Sequence, residues 1–183
     1  MRRFAGISTT WRCSTFWGLA PDTEAPMPAP LQQQIQATWR HIEARTGTPF
    51  NHDFWRLNQP RRATWSACRA VISAGRIETG ADERMVAAIQ RAYYLEARNP
   101  SDADVLVALA QETGLDPERF RGMLQDPDTE RQLQRHLALK DKLGVQGFPA
   151  LLLQHGDDLL ALSAGYDTAS GLIPRIRKRI REP

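Results

Sequence analysis

Cysteine is nearly absent from this 183-residue chain, which has only Cys13 and Cys68. Two cysteines cannot build a disulfide framework, and these two do not form a C-x-x-C dithiol. Histidine is also sparse. His41, His52, His136 and His155 show no metal-ligand spacing with each other or with the cysteines, so no zinc or haem site and no cofactor are expected. No apolar run approaches the ~20 residues that a membrane-spanning helix needs. Met1 to Ala20 opens with Arg2 and Arg3, but Ser8, Thr9, Thr10, Arg12, Ser14 and Thr15 interrupt any apolar stretch. The segment does not read as a secretory signal, and the expected location is cytoplasmic. Internal repeats and low-complexity segments are absent as well.

What is present suits a globular chain. Hydrophobic residues make up 42% and charged residues 25%, enough for one domain with a real core. The formal charge of +3 hides an asymmetry: Ile173 to Pro183 carries a net +4, which leaves the remainder at −1. A basic tail can meet nucleic acid or anionic lipid. Here Leu172, Ile176 and Ile180 recur at helical spacing, no aromatics are interleaved and no nucleic-acid motif accompanies the tail. The expectation is a helix with a solvated basic face, with neither nucleic acid nor membrane as a partner.

All five tryptophans lie at or before Trp65, in the N-terminal part of the chain. Thr9 to Trp17 is rich in β-branched and aromatic residues and predicts a strand. Gly18 to Pro30, with four prolines, predicts a loop. Leu31, Ile35, Trp39 and Ile42 share one helical face, and Gly47 is a stop. Thr48 to Arg62 reads as an irregular connection. Trp65, Cys68 and Ile72 line a second helix, which makes Cys68 a buried structural thiol. Met85, Ile89 and Ala92 line a third helix, ending before Asn99-Pro100. Ser101 with Asp104 resembles a capping box ahead of Val105, Ala108 and Leu109. Asp116-Pro117 and Asp126-Pro127 are N-caps followed by proline at the first helical position. The second of these starts leads to Leu133, Leu137 and Leu143 and a stop at Gly144.

After Gly144 the period changes. Ala150 to Leu153 and Leu159 to Ser163 predict a β-hairpin with a largely buried first strand, turning at His155 to Asp158. Asp167 caps a last helix through Arg181, with a kink or late restart expected at Pro174. Strand, helices, strand, strand and helix together suggest a small α/β fold with an inserted helical lobe.

Several stretches resemble the DsbA-like thioredoxin family, in particular its FrnE-related branch of protein-disulfide isomerases. They are Gly18-Leu19-Ala20-Pro21-Asp22-Thr23, Arg45-Thr46-Gly47-Thr48-Pro49-Phe50, Ala67-Cys68-Arg69-Ala70-Val71 and Ala88-Ile89-Gln90-Arg91-Ala92-Tyr93-Tyr94. Gly144-Val145-Gln146-Gly147-Phe148-Pro149-Ala150-Leu151 and Gly165-Tyr166 complete the set. They occur in the family's order. The resemblance implies one DsbA-like domain over residues 1–183: a residual strand and loop (1–30), a helical region with the inserted lobe (31–144), then a cis-proline segment, hairpin and helix (145–183). The implied fold class is α/β, thioredoxin-like with a large all-helical insertion. Phe148 and Pro149 are the implied substrate-binding residues, with Pro149 in cis facing the redox site.

The chain departs from the family where the chemistry should be. The match begins at Gly18, at the end of the family's second strand. The first strand, the C-x-x-C and the first long helix would need roughly forty more residues than lie upstream. The expectation is a fold without its N-terminal βα unit, read from a shortened gene. A second register exists, in which Cys13-Ser14-Thr15-Phe16-Trp17-Gly18 matches the family's active-site run. Cys13 would then be the attacking thiol, and Phe16 would replace the resolving one. The second-strand register takes precedence because Asp22 to Phe50 continue it without a gap, leaving Cys13 the remaining catalytic candidate. A lone thiol can form mixed disulfides but cannot release them by itself.

The implied function is that of a thiol–disulfide oxidoreductase or protein-disulfide isomerase family member, with activity in doubt because no C-x-x-C is present. Its partners would be thiol- or disulfide-containing proteins or peptides, and glutathione is a further candidate. Two alternatives stay open. One is a non-catalytic peptide-binding or chaperone module using the Phe148-Pro149 edge. The other is a glutathione-using kappa-class relative, for which no residue set identifies a glutathione site.

Overall fold

The computed structural model describes residues 23–61, 63–147, 150–155, 158–165 and 167–181. The candidate strand Thr9 to Trp17 lies outside them. The chain divides into two compact units, one within Trp17–Leu137 and the other including Ala138–Pro183.

The first unit is helical. Helix α1 (Ala29–Thr46) starts behind Pro28, with a proline in its first turn, slightly earlier than the apolar spacing implies. Gly47 ends it at φ +71°, and its N–H donates to the Glu43 carbonyl at 2.9 Å. Only a residue without Cβ adopts that left-handed geometry freely, so the stop is a local property of the sequence. The chain then folds back along α1. The Glu43 carboxylate accepts the Phe50 N–H at 2.9 Å and meets His52 Nε2 at 2.8 Å. The return seats an aromatic cluster on Trp39, with Phe50 stacked at 5.0 Å, Trp55 at 5.0 Å and Tyr93 edge-on at 5.4 Å.

Within that return a short helix, α2 (Phe54–Leu57), replaces the irregular connection expected over Thr48 to Arg62. Its four residues carry no readable period, and Phe54, fully buried against Trp39 and Tyr93, holds it in place.

Helices α3 (Trp65–Ile77), α4 (Ala81–Tyr94), α5 (Ala103–Glu112) and α6 (Pro117–Leu124) enclose the main core. Helix α3 is its centre. Its Cys68–Ile72 face packs on Leu133, while Ala70, Val71 and Ala74 face α4 and α5. The single apolar face expected of α3 is therefore two. Small residues at Ala70, Ser73 and Ala74 let neighbours close in on both sides, which a one-face period does not reveal.

Helix α5 also differs from expectation. Asp102, without a side-chain cap bond, is its N-cap. Ser101 and Asp104 form no capping box: the Ser101 N–H goes to Asn99 Oδ1 and the Asp104 carboxylate goes to Arg121. Leu106 and Ala110 are buried along with Leu109, whereas Val105 and Ala108 stand at the margin. Asp116 caps α6 as its sequence implies, accepting the Arg119 N–H at 2.7 Å. Asp126 accepts the Asp128 N–H at 2.7 Å where α7 (Pro127–Lys142) begins.

In the second unit, the end of α7 closes at Gly144, with φ +67° and the Val145 N–H on the Lys140 carbonyl. Strands β1 (Ala150–His155) and β2 (Asp158–Ala164) pair antiparallel, running from Ala150 opposite Ala164 to His155 opposite Asp158. A bulge between Leu151 and Leu152 leaves Leu162 out of the ladder, and Leu162 is buried. Ala150 to Leu153 are half-buried, less than expected, because β1 has one neighbouring strand among the described residues rather than two.

Helix α8 (Ala169–Arg181) runs through Pro174 without a restart. Thr168, rather than Asp167, meets its first turn, accepting the Gly171 N–H at 3.2 Å. Asp167 instead pairs with Arg175, whose Nη1 also donates to the Leu162 carbonyl at 2.7 Å and ties α8 to β2. Leu172 and Ile176 are half-buried, while Arg177 and Lys178 are exposed.

Candidate functional site

Thiol chemistry requires a thiolate, so the environment of sulfur comes first. Cys68 is 5% exposed and packs with Ile72 and Leu133, flanked by Trp65 and Leu137. Desolvation pushes its thiol up to about 12, against a smaller opposing pull from Arg69. At neutral pH roughly one molecule in 10⁵ would carry a thiolate there. Cys68 is a structural thiol, as its helical spacing implies. The other expected site residues, Cys13, Phe148 and Pro149, lie outside the described residues. The flanks of the proline segment are described: Val145 is buried, Gly147 is exposed, and Ala150 opens β1.

Beside Cys68, charged side chains join α3 to the start of α7. Arg76 Nη1 donates to Thr129 Oγ1 at 2.6 Å, and Nη2 meets Asp126 Oδ2 at 3.1 Å. Thr129, with no exposed surface, donates its hydroxyl hydrogen bond to the Met123 carbonyl at 2.8 Å. Arg69 Nε donates to Glu130 Oε2 at 2.7 Å. The Asp128 N–H, and then Arg76, hold the Asp126 carboxyl below its ordinary 3.8. Burial raises Glu130, but hydrogen bonds from Gln134 and Arg69 outweigh it and leave the group below 4.5.

Both carboxylates bind protons less readily when folded. The stability they contribute is therefore present above the ordinary carboxylate values and is lost as pH falls through the lower folded values. We expect the urea midpoint to hold down to about pH 4.5 and to fall below it, with a shallower fall in Asp126→Asn. An equally steep fall in that variant would remove Asp126 from the account.

A cleft of about 440 Å³ opens among α1, the start of α3, the end of α4 and the turn at Asn99. Met27, Leu31, Ile35, Ala67 and Ile89 supply apolar wall. Tyr93 and Asn99 bring polar groups to it, and Arg61 stands beside them. The Arg61 Nη2 donates to the Ser101 carbonyl at 2.7 Å and to Asp102 Oδ1 at 2.5 Å, while Nη1 lies 3.3 Å from Glu24 Oε2. Burial raises the Tyr93 phenol above its ordinary value. In the sequence Asn99 is only a helix terminator and Tyr93 only part of a family stretch. No local signal announces a cleft assembled from residues so far apart in the chain.

Among the described residues no group of three or more His, Cys, Asp and Glu side chains could hold a metal ion. No described helix is long and apolar enough to cross a membrane.

A helical lobe joined to a hairpin and a closing helix is the layout of thioredoxin-like proteins that carry a helical insertion. The sequence matches the DSBA-like thioredoxin domain over residues 2–170, and the chain belongs to that family of thiol–disulfide oxidoreductases. The match starts upstream of Gly18, where the residue-by-residue resemblance begins, and includes Cys13, Phe148 and Pro149.

The fold is similar to a candidate protein disulfide isomerase from Nitrosomonas europaea, with a TM-score of 0.76 and 26% identity over 87% of this chain and 78% of that one. It is also similar to the cytosolic disulfide reductase DsbM from Pseudomonas aeruginosa, with a TM-score of 0.68 and 25% identity over 86% and 80%. A structure of DsbM with GSH gives a TM-score of 0.66. Among curated proteins, the ClpXP adapter protein SpxH of Bacillus subtilis is 25% identical over 136 residues, covering 72% of this chain. The chain spans less than half the length of that relative, 46%.

Proposed function

We propose that this chain carries out glutathione-dependent thiol–disulfide exchange through a single sulfur, Cys13, on thiol- and disulfide-containing proteins or peptides. One observation carries the reading: of the chain's two cysteines, Cys68 is buried and its thiol is pushed up to about 12. If the family's chemistry is retained, Cys13 is the sulfur left to perform it. The similarity to a disulfide reductase determined with GSH supports glutathione as co-substrate. Phe148 and Pro149 are the proposed edge against which the substrate backbone lies. The reduced glutathione pool this needs favours the cytoplasm.

The chemistry balances without a second protein thiol. The Cys13 thiolate attacks the glutathione sulfur of a protein–glutathione mixed disulfide. A Cys13–glutathione disulfide forms, and the protein thiolate leaves and takes up a proton. A second glutathione thiolate then attacks that disulfide, giving oxidised glutathione and regenerating Cys13. Direct oxidation of a substrate dithiol by an internal protein disulfide, which needs a second active-site cysteine, is outside this reading.

The test follows deglutathionylation of a mixed-disulfide peptide by reduced glutathione. Wild type and Cys68→Ala should turn over alike per folded molecule, whereas Cys13→Ser should fall to the uncatalysed rate. Turnover that survives Cys13→Ser would sink the reading. The lack of a C-x-x-C favours one rival, a non-catalytic peptide binder. Peptide binding lost in Pro149→Ala, with no turnover in wild type, would select it.

A further inference from the structure

Helix α8 carries five arginine and lysine residues and no aspartate or glutamate. One of the five, Arg175, is spent inside its own unit, on Asp167 and the Leu162 carbonyl. Arg177 and Lys178 are exposed and have no ionic or hydrogen-bond partner among the described residues. Ile173, one turn before Arg177, is 45% exposed, and Pro174, one turn before Lys178, is exposed as well. The outer face of α8 therefore sets unpaired cations beside bare apolar surface.

Local causes explain only part of this. The dipole at a helix C-terminus stabilises cations in the last turn, which covers Lys178 onward, and the effect fades before Arg177. The charge is also local rather than a property of the whole chain: Ile173 to Pro183 carries a net +4, and the remainder is at −1. Clustered like charges repel, and an anionic partner relieves that repulsion.

The surroundings narrow the class of anion. Helix α8 has no aromatic side chain on which a nucleic-acid base could stack. A helix that lies in a lipid surface must turn its apolar face outward. Here Leu172 and Ile176 are half-buried, and α8 packs on β2, with Arg175 tying the two together. A polypeptide supplies carboxylates and an apolar side chain side by side, which suits a face made of Ile173, Arg177 and Lys178.

We propose that this outer face of α8 docks an acidic segment of a partner polypeptide, whose carboxylates meet Arg177 and Lys178 and whose apolar side chain covers Ile173. The docking lies outside thiol exchange and does not need Cys13.

The test measures fluorescence anisotropy of the dye-labelled, end-blocked peptide GEELEELG with the full chain as Cys13→Ser. Failure of exchange and failure of docking are then separate results. The peptide should bind saturably and weaken as salt rises, and the neutral peptide GQQLQQLG should not bind. Arg177→Gln with Lys178→Gln should weaken binding roughly threefold to tenfold, the worth of two exposed ion pairs. Ile173→Ser should weaken it roughly twofold to fivefold. Arg135→Gln with Lys142→Gln removes the same charge from exposed positions on α7 and should leave binding unchanged. All these side chains are exposed, and matching urea midpoints confirm that each variant is folded.

An equal loss in the α7 variant would reduce the effect to overall charge and overturn the proposal. So would binding of the neutral peptide, or wild-type affinity in the Arg177 and Lys178 variant. Tighter binding of an oligothymidylate of the same charge, or sedimentation with phosphatidylserine vesicles at about 150 mM salt, would assign the face to nucleic acid or lipid and overturn it as well.

Discussion

Phe120→Ala is expected to lower the free energy of unfolding by about 3–5 kcal/mol, read from urea melts of the full chain. Helix α6 is only eight residues long, too short to persist by its own propensity. Among those residues Phe120 is the one fully buried, with no exposed surface. It enters the core formed by Val71, Ala74, Leu106 and Leu109. Removing the ring takes away most of the apolar area that holds α6 on α3 and α5, and leaves a cavity that neighbouring helices, fixed by their own packing, fill only partly. Phe120→Leu keeps most of the volume and should cost about 1.5 kcal/mol or less. A cost below about 1 kcal/mol for the alanine variant would mean that α6 is held by its Asp116 cap rather than by burial.

Thr129→Val is expected to destabilise by about 2–3 kcal/mol although it barely changes side-chain volume. The hydroxyl stands between a cation and a carbonyl, accepting from Arg76 and donating to Met123. Valine answers neither, and the site has no exposed surface through which water could replace it. The Arg76–Asp126 contact remains, so the guanidinium is not wholly orphaned, which keeps the cost below that of a broken buried ion pair. Thr129→Ser restores the hydroxyl and should recover most of the loss, leaving only the missing methyl group. If serine is as damaging as valine, the role of Thr129 is packing and the hydrogen-bond account fails.

These two residues also mark where sequence reading stops. Thr129 sits three positions after an N-cap aspartate, where nothing distinguishes it from any first-turn threonine. Its partner Arg76 is far away in the chain, and only the approach of α3 to α7 makes the hydroxyl matter. Phe54 is similar: inside a stretch with no period it reads as loop, yet it is fully buried against Trp39 and Tyr93. On α5 a plausible capping pair misleads because Asn99 Oδ1 takes the Ser101 N–H and Arg121 takes the Asp104 carboxylate. The local signal is real, but partners outside the pair outcompete it.

The sequence by itself determined the starts of α6 and α7 and the ends of α1 and α7, because those instructions act within a few residues. Asp116 and Asp126 cap the residues just after them, and Gly47 and Gly144 adopt positive φ without a Cβ penalty. It also determined the family, through stretches spread along most of the chain and confirmed by the match over residues 2–170. Tertiary structure alone decided which helix presents two buried faces, which threonine hydroxyl is bonded on both sides, how far the Cys68 thiol is from ionising, and that Asn99 and Tyr93 border one apolar cleft. Each of these depends on desolvation and on partners brought together from distant parts of the chain, and neither is written in the spacing of neighbouring residues.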